Sequence, residues 1–448
     1  VLRLAARAPR LTRAAPRRTS SGAQAMPKRA AAAASAADEG KPPAKSPAKK
    51  PKAAKPKPKA EKVVLDRDAT PRADPSAVAA GAPLVRICLW NVGGVRALLK
   101  SDERRALLQR LLSEEQPDVL CLQEHKLQET HLAEVEADLR ELAPSHTAHW
   151  AVSVPPAKKG YSGVVALVRD GIAAALPRGE GLTAIGRGVG GEVEGKGRKG
   201  KKKAQGDASI KSFFAAKDAA GGGDQAGGAA AGSDAATEAA AEAPCGLLSV
   251  HEGLGVPVAL DRDYNIEGRV LTLDLGSFSL VLAYVPNSGQ DLKRLDYRID
   301  TWEEDLKAHL KALEELGKPV VYVGDLNVAH LDLDIWNVGA KHLAKSAGTT
   351  PQEREAMGRL LDAGFVDTFR ALHPNARHAY TFWSVRAGNR PWNRGLRLDY
   401  CISSASMSPS AAETQLPRVV DSFILDHFNT NGDHAPVGCV VAVPPIEK

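Results

Sequence analysis

Between Val85 and Val443 the chain repeats one device: a short Val- and Leu-rich run that closes on Asp, Asn, Glu or His. VRICLWN ends on Asn91, DVLCLQE on Glu124, FSLVLAYVPN on Asn287, and KPVVYVGDLN on Asp325 and Asn327. GLRLD delivers Asp399, and Asp433 with His434 stands just before APVGCVV. Bounded by Gly or Pro and rich in β-branched residues, these runs read as buried strands, together with SGVVALVR and RVLTLDL. Helical patterns alternate with them. DERRALLQRLLSEEQ carries an apolar stripe at Leu107, Leu108, Leu111 and Leu112, and WEEDLKAHLKALEEL is the clearest helix. PQEREAMGRLLDAG opens with Pro in its first turn and stops at Gly364. Strands and helices in alternation predict a layered α/β architecture.

The polar strand ends point to chemistry. A carboxylate at the end of a buried strand loses hydration unless it is paired or meets a cation. One such residue is an ordinary loop cap. A set at the same ends of several strands predicts a shared cleft lined by hard oxygen donors, which suits magnesium, or manganese in its place, better than zinc. The five cysteines (Cys88, Cys121, Cys245, Cys401, Cys439) show no CxxC spacing and read as reduced thiols of an intracellular protein. No apolar run approaches the roughly 20 residues of a membrane span, so a soluble protein without a membrane partner is expected.

Two segments stand apart from this pattern. Residues 1–82 begin with an Arg- and Ser-rich stretch resembling an organellar transit peptide, and continue into KPPAKSPAKKPKAAKPKPKAEK. The first residue is Val, and Met26 is a candidate internal start. The Lys/Pro/Ala tract cannot bury apolar surface and is expected to be extended, as a nuclear-import signal, a non-specific DNA tether or a solvated linker. Nuclear localisation is expected, with a mitochondrial or chloroplast alternative. From Gly179 to Pro244 a Gly/Ala/Lys-rich stretch interrupts the folded pattern and is expected as a flexible surface insertion in a catalytic domain spanning 83–448. The net charge of +7 favours a polyanionic partner.

WNVGGVRALL, DVLCLQEHKL, KKGYSGVVALV, EGRVLTLDL, LAYVPNSG, VGDLNVAH, TPQER, YTFW, RLDY and NGDHAPV occur in this order. The series resembles the exonuclease III family of class II AP endonucleases. The resemblance implies a four-layer α/β sandwich: two mixed β-sheets packed face to face, with helices outside. It implies a monomer that hydrolyses the phosphodiester 5′ to an abasic site in double-stranded DNA with magnesium, and 3′–5′ exonuclease and 3′-phosphodiesterase activities go with it.

The resemblance also distributes roles. Glu124 matches the metal-binding glutamate, with Asn91 and Asp433 beside the same cation; a salt bridge to Lys126 is the structural alternative for Glu124. Asp325 and Asn327 match the pair that orients and activates the attacking water, where a tight turn is the alternative. His434 resembles the histidine that donates to a phosphate oxygen, and Asp399 the carboxylate that orients it. Tyr284 and Asn287 look like phosphate-side ligands, and Tyr161, Arg294 and Arg298 like contacts to the DNA backbone or cleft. Phe382, Leu396 and Leu398 match the apolar pocket for a flipped-out abasic sugar, and neighbouring Trp383 is counted among the DNA-binding residues. Leu398 belongs to the pocket or to the core, and His330 reads as structural. The chain departs from its relatives at Gly93, where they carry Asp or Asn, and at Leu396, where some place Trp. Gln290 and Arg386 stand where one animal relative inserts Arg and Met into the DNA grooves.

Inside the insertion, DASIKSFFAAK follows a basic run. Ile210, Phe213 and Phe214 resemble the plug of a sliding-clamp-binding box over 207–214, with Asp207 at the usual glutamine position. The competing readings are another phosphodiesterase or phosphatase of the same superfamily, and a clamp-binding scaffold with a weakened nuclease. A redox role for Cys88 has a plain buried thiol as its alternative.

Overall fold

The computed structural model describes residues 63–74, 82–172, 249–254, 264–411, 416–428 and 432–444, all within the compact unit Glu61–Lys448. The stretch 179–244, its 207–214 segment and most of the 1–82 tail lie outside the described residues.

The first sheet contains β1 (Leu84–Asn91), β2 (Val119–Gln123), β3 (His146–Ala151), β4 (Val164–Arg169), β11 (Arg418–Ile424) and β12 (Val437–Ala442), in the order β11-β12-β1-β2-β4-β3. The second contains β5 (Ser249–Glu252), β6 (Val270–Asp274), β7 (Ser279–Tyr284), β8 (Val320–Asp325), β9 (Phe365–Asp367) and β10 (Asp399–Ser404), in the order β5-β6-β7-β8-β10-β9. Each sheet is mixed: β1–β2 and β7–β8 are parallel and the remaining neighbours antiparallel.

The two-residue period of a strand explains the layering. In β1, Val85, Ile87 and Leu89 point inward and meet Leu271, Leu280, Val321 and Val323 of the other sheet. Cys88 and Trp90, one residue out of phase, pack outward against Leu98, Leu108, Val135 and Leu139 of the flanking helices. The second sheet repeats the arrangement, with Val281, Val320 and Tyr322 facing Trp302, Leu306, Leu310 and Met357. Both faces of both sheets are therefore covered, which is why the strands read as continuous apolar runs. This is the four-layer α/β sandwich with two mixed sheets. Among the described residues no helix is long and apolar enough to cross a membrane.

Two local expectations change. Residues 63–74 lie on the folded unit although the tail was expected to run to 82. Arg72 pairs with Asp421 at 2.6 Å and lies over the Phe423 ring, Arg67 pairs with Asp426 at 2.7 Å, and Leu65 N–H donates to Trp392 O. These arginines find carboxylates hundreds of positions away, which composition cannot reveal. The helix expected from Trp302 begins differently: Arg298–Glu303 is a π-helical turn, and regular α-helix runs only over Glu304–Glu315. Helix Pro351–Asp362 follows the sequence closely, with Thr350 and Glu353 forming a reciprocal capping box.

Candidate active site

Strand register brings the polar ends together. Asp325 closes β8, and its register partners are Tyr284 at the end of β7 and Asp399 at the start of antiparallel β10. In the first sheet Asn91 pairs with Gln123, so Glu124 follows at the same edge. The segment from Gly432 ahead of β12 supplies Asp433 and His434, and the backbone of Asp433 accepts from Trp383 N–H at 2.7 Å.

Across the gap between the sheets these residues touch. Asn91 Nδ2 donates to Asp325 Oδ2 at 2.9 Å and to Glu124 Oε1 at 3.3 Å, so one amide ties the two sheets' carboxylates together. Tyr284 donates its hydroxyl to Glu124. His434 Nδ1 bonds Asp399 Oδ2 at 2.8 Å, and its Nε2 lies 3.8 Å from Asp325 Oδ2. The turn Asp325–Asn327 closes on itself, with Asn327 N–H donating to Asp325 Oδ1 at 2.9 Å. Asn287 Nδ2 then donates to Asn327 Oδ1 at 2.8 Å. Asn327 holds φ at +50°, in the left-handed region that Asn tolerates better than most residues.

Burial shapes the charges. Desolvation pushes the Asp325 carboxyl up to about 7, against the pull of the His434 cation and with Asp399 adding repulsion. Burial alone would disfavour a charged His434, but the Asp399 and Asp325 carboxylates overcome it and hold the imidazole up at about 10. His434 is therefore an imidazolium at neutral pH, its Nδ1 turned to Asp399 and its Nε2 toward Asp325. For Glu124 burial also opposes the charge, yet hydrogen bonds from Lys126 and Tyr284 keep its carboxyl below the ordinary range.

Two groups of oxygen donors deserve comparison as cation holders. Asp325, Asp399 and His434 offer ligand atoms within 4.8 Å of one another. In that group His434 Nδ1 is already bonded to Asp399. Glu124, Asn91 and Asp433 are the second set, the one the resemblance implies. Glu124 is partly exposed at the cleft edge, Asn91 turns its N–H₂ to Glu124 and Asp325 and its oxygen to Gly93 N–H, and Asp433 Oδ1 lies 3.9 Å from where a Gly93 Cβ would stand. Carboxylate and amide oxygens are the donors a hard divalent ion prefers. The alternative for Glu124 is present too: Lys126 Nζ lies 2.6 Å from Glu124 Oε2. That pair is about half exposed on the lysine side, and such pairs contribute only ~0–1 kcal/mol. Gly93, at φ +59°, turns the chain here and adds no side-chain donor.

Around this centre the other expected residues divide. Phe382 is half-buried, 5.0 Å ring to ring from His434 and bridged by its backbone to half-buried Leu396, so the two form an apolar shelf beside the charged imidazole. Leu398 is buried with Ala329 and Ile335, and half-buried Phe382 and Leu396 pack against that same cluster. Arg294 and exposed Tyr161 sit together, with Arg294 paired to Glu267 at 3.0 Å and donating to the Tyr161 hydroxyl at 3.3 Å. Exposed Asn287 faces the cleft through Asn327.

Two expectations are corrected. Trp383 is buried, donates its indole N–H to Asn393 Oδ1, and is covered by the Arg390 guanidinium; it props the loop behind the site and presents no face to DNA. Arg298 is fully buried and cannot be a backbone or cleft contact. Its guanidinium instead donates to Leu326 O and Asn327 O, both at 2.7 Å. Cys88 is fully buried, and burial pushes its thiol well up, as a core thiol requires. His330 has no place among these groups.

Other residues emerge only in three dimensions. Thr381 Oγ1 accepts from the N–H groups of Leu398 and Asp399 and so sets the start of β10. Arg269 is buried, donates to Tyr284 O at 2.9 Å and stacks on the Tyr284 ring. Glu353 accepts from Arg298, Ser288, Gly348 and Thr350. All three lie inside recognisable motifs (YTFW, EGRV, TPQER), which was their only signal in the sequence.

The endonuclease/exonuclease/phosphatase family model matches residues 88–427, from within β1 to just before the Asp433–His434 turn and β12. The chain belongs to this family. The DNA repair nuclease APEX1 of Danio rerio is 31% identical over 359 residues, covering 80% of this chain and 83% of that protein. An exodeoxyribonuclease of Bacillus subtilis is 29% identical, covering 80% of this chain and all of that protein. Among solved structures, an AP endonuclease of Leishmania major superposes with a TM-score of 0.56 at 25% identity, over 85% of this chain and 93% of that one.

Proposed function

We propose that the protein is a class II AP endonuclease of base excision repair, a magnesium-dependent DNA hydrolase that cuts 5′ to abasic sites. The observation that carries this reading is the Asp399–His434–Asp325 cluster meeting Glu124 through Asn91, beside the Phe382–Leu396 shelf. Asp325, with a carboxyl near neutrality and no cation of its own beyond His434, is suited to take a proton from water. Asn327 aligns that water from the same turn. His434, held charged by Asp399, donates from Nε2 to a phosphate oxygen as negative charge gathers there. Tyr284 steadies Glu124 through its hydroxyl. Glu124, Asn91 and Asp433 would hold magnesium, which would supply charge neutralisation at the phosphate and leaving oxygen. A deoxyribose without its base fits against Phe382 and Leu396, where a full nucleotide meets their bulk.

Duplex DNA carrying one tetrahydrofuran abasic analogue tests the reading. The protein is expected to nick it 5′ to the analogue with magnesium and to leave it intact with EDTA. No nicking with magnesium present sinks the proposal. Cutting of undamaged 3′ ends alone moves the protein to the exonuclease branch.

Asp399 offers a pH test with a defined sign. Because the folded His434 pKa is raised, its ion pairing contributes stability in full below the ordinary histidine value of about 6.5. That contribution is lost as pH rises through about 10. Asp399→Asn removes the main partner, and burial then drives the imidazole to its neutral form at lower pH. The parent's nicking rate is expected to rise as Asp325 ionises through about 7 and to hold until His434 loses its proton near 10, whereas the variant's rate is expected to fall within that window. Parallel pH–rate profiles would exclude a charged His434 as donor.

Localisation in the nucleus or an organelle, and clamp binding through Ile210, Phe213 and Phe214, rest on sequence and stay proposals. The Phe213→Ala, Phe214→Ala double variant is expected to lose sliding-clamp pull-down while nicking at the parental rate; equal capture of both proteins removes the motif.

A further inference from the structure

We infer that Arg298 is a positioning residue: it holds the Asp325–Asn327 turn in its reactive shape from behind and never touches DNA. The inference rests on the proposed hydrolytic role of that turn and adds how the turn is kept in place. Asn327 sits at φ +50°, a left-handed conformation uncommon outside glycine though open to Asn, and its surroundings fix it there. The enforcement is visible. Arg298 Nη1 donates to the Asn327 carbonyl and Nη2 to the Leu326 carbonyl, each at 2.7 Å, so one planar fork pins two consecutive peptide units. On the far side of Asn327, a Cβ at Gly348 would come within 3.1 Å of the same carbonyl, and the Gly348 carbonyl binds Ala329 N–H at 2.7 Å.

The guanidinium is itself clamped by two carboxylates. Glu353 Oε1 receives Nη1 at 3.1 Å and the Ser288 hydroxyl at 2.5 Å, while Glu353 Oε2 receives Gly348 N–H and Thr350. Glu303 Oε1 receives Nε at 2.7 Å. The π-helical turn makes that last bond possible. Residues five apart lie about 140° apart around a regular α-helix of 3.6 residues per turn and cannot face one another. The wider turn over Arg298–Glu303 brings both onto one side. A local departure from α-helix therefore aims a buried fork at the backbone of the proposed water-activating turn. Ser288 follows Asn287, whose side chain holds Asn327 from the front, so Glu353 joins both grips on the same residue.

The test separates positioning from DNA contact and from mere folding. Steady-state kcat and KM are measured on the tetrahydrofuran duplex with magnesium, and Kd for the uncut duplex in EDTA, for Arg298→Lys, Glu303→Ala and Glu303→Gln. Lysine keeps the charge but cannot reach two carbonyls at once. Arg298→Lys is expected to lower kcat about 100-fold, the scale on which a displacement near 1 Å acts, with KM and Kd unchanged. Glu303→Ala is expected to lower kcat in the same pattern and Glu303→Gln, which keeps an acceptor for Nε, to restore it. The Glu303 pair decides alone if Arg298→Lys fails to fold. Parental kcat in both Arg298→Lys and Glu303→Ala overturns the inference, as does weakened EDTA binding at unchanged kcat, which would make Arg298 a DNA contact. If the parent cuts a different phosphodiester and not the abasic duplex, the substrate reading fails, and the same kcat ratios on that ester still decide the role of Arg298.

Discussion

Asp325→Asn is expected to lower the nicking rate about 1,000-fold, within the range that removal of a general base produces, with little change in KM. The substitution conserves size in a position that is almost fully buried, so the strand end should fold. Its effect is chemical. Asp325 receives Asn91 Nδ2 on one oxygen and Asn327 N–H on the other. An asparagine can satisfy only one of these with its single acceptor and sets an N–H₂ against the second donor. It also cannot take a proton, and His434 loses one of the two carboxylates that keep it charged. Both changes act on the reacting groups and neither touches the surface that meets DNA, so kcat should carry the loss. A rate within tenfold of the parent's would remove Asp325 as the base, since groups in that role contribute at least about 100-fold.

The layers of the fold were legible because a strand buried on both faces leaves an unmistakable apolar run, and its end is marked by a polar residue that would otherwise be costly. Asn91, Glu124, Asp325, Asp399 and His434 were found that way, and register explains why separate runs meet: Asp325 is paired with Tyr284 and Asp399 in the same sheet. Arg298 was misread for a physical reason. Its cleft role came with that of Arg294 from the resemblance alone, and nothing in the letters marks the π turn that buries Arg298 while leaving Arg294 at the cleft. Trp383 was misread because an aromatic beside Phe382 looks like a continuation of the shelf. Alternation along an extended segment instead sends the neighbour inward, where Asn393 and Arg390 hold it. Arg67 and Arg72 look like more of a basic tail until their carboxylates, Asp426 and Asp421, are seen in space.

Glu124→Gln separates the two readings of that residue, and its expected effect is nearly as large. If Glu124 holds the cation, the amide loses the charge that attracts it while keeping the hydrogen bonds with Asn91 and Tyr284 within reach. The magnesium concentration giving half-maximal rate should then rise by about 10- to 100-fold or more, a span that loss of supporting groups alone already reaches, and nicking at low millimolar magnesium should nearly vanish. If Glu124 serves only its 2.6 Å bridge to Lys126, Glu124→Gln and Lys126→Ala should behave alike, costing no more than ~1 kcal/mol of stability and leaving the magnesium titration unmoved. The expected pattern is asymmetric. Lys126→Ala removes a positive charge from beside the carboxylate, so it should leave nicking intact and, if anything, lower the magnesium requirement. Matching titrations for the two variants would return Glu124 to a structural role and leave Asp433 as the one carboxylate of the set to gather the ion.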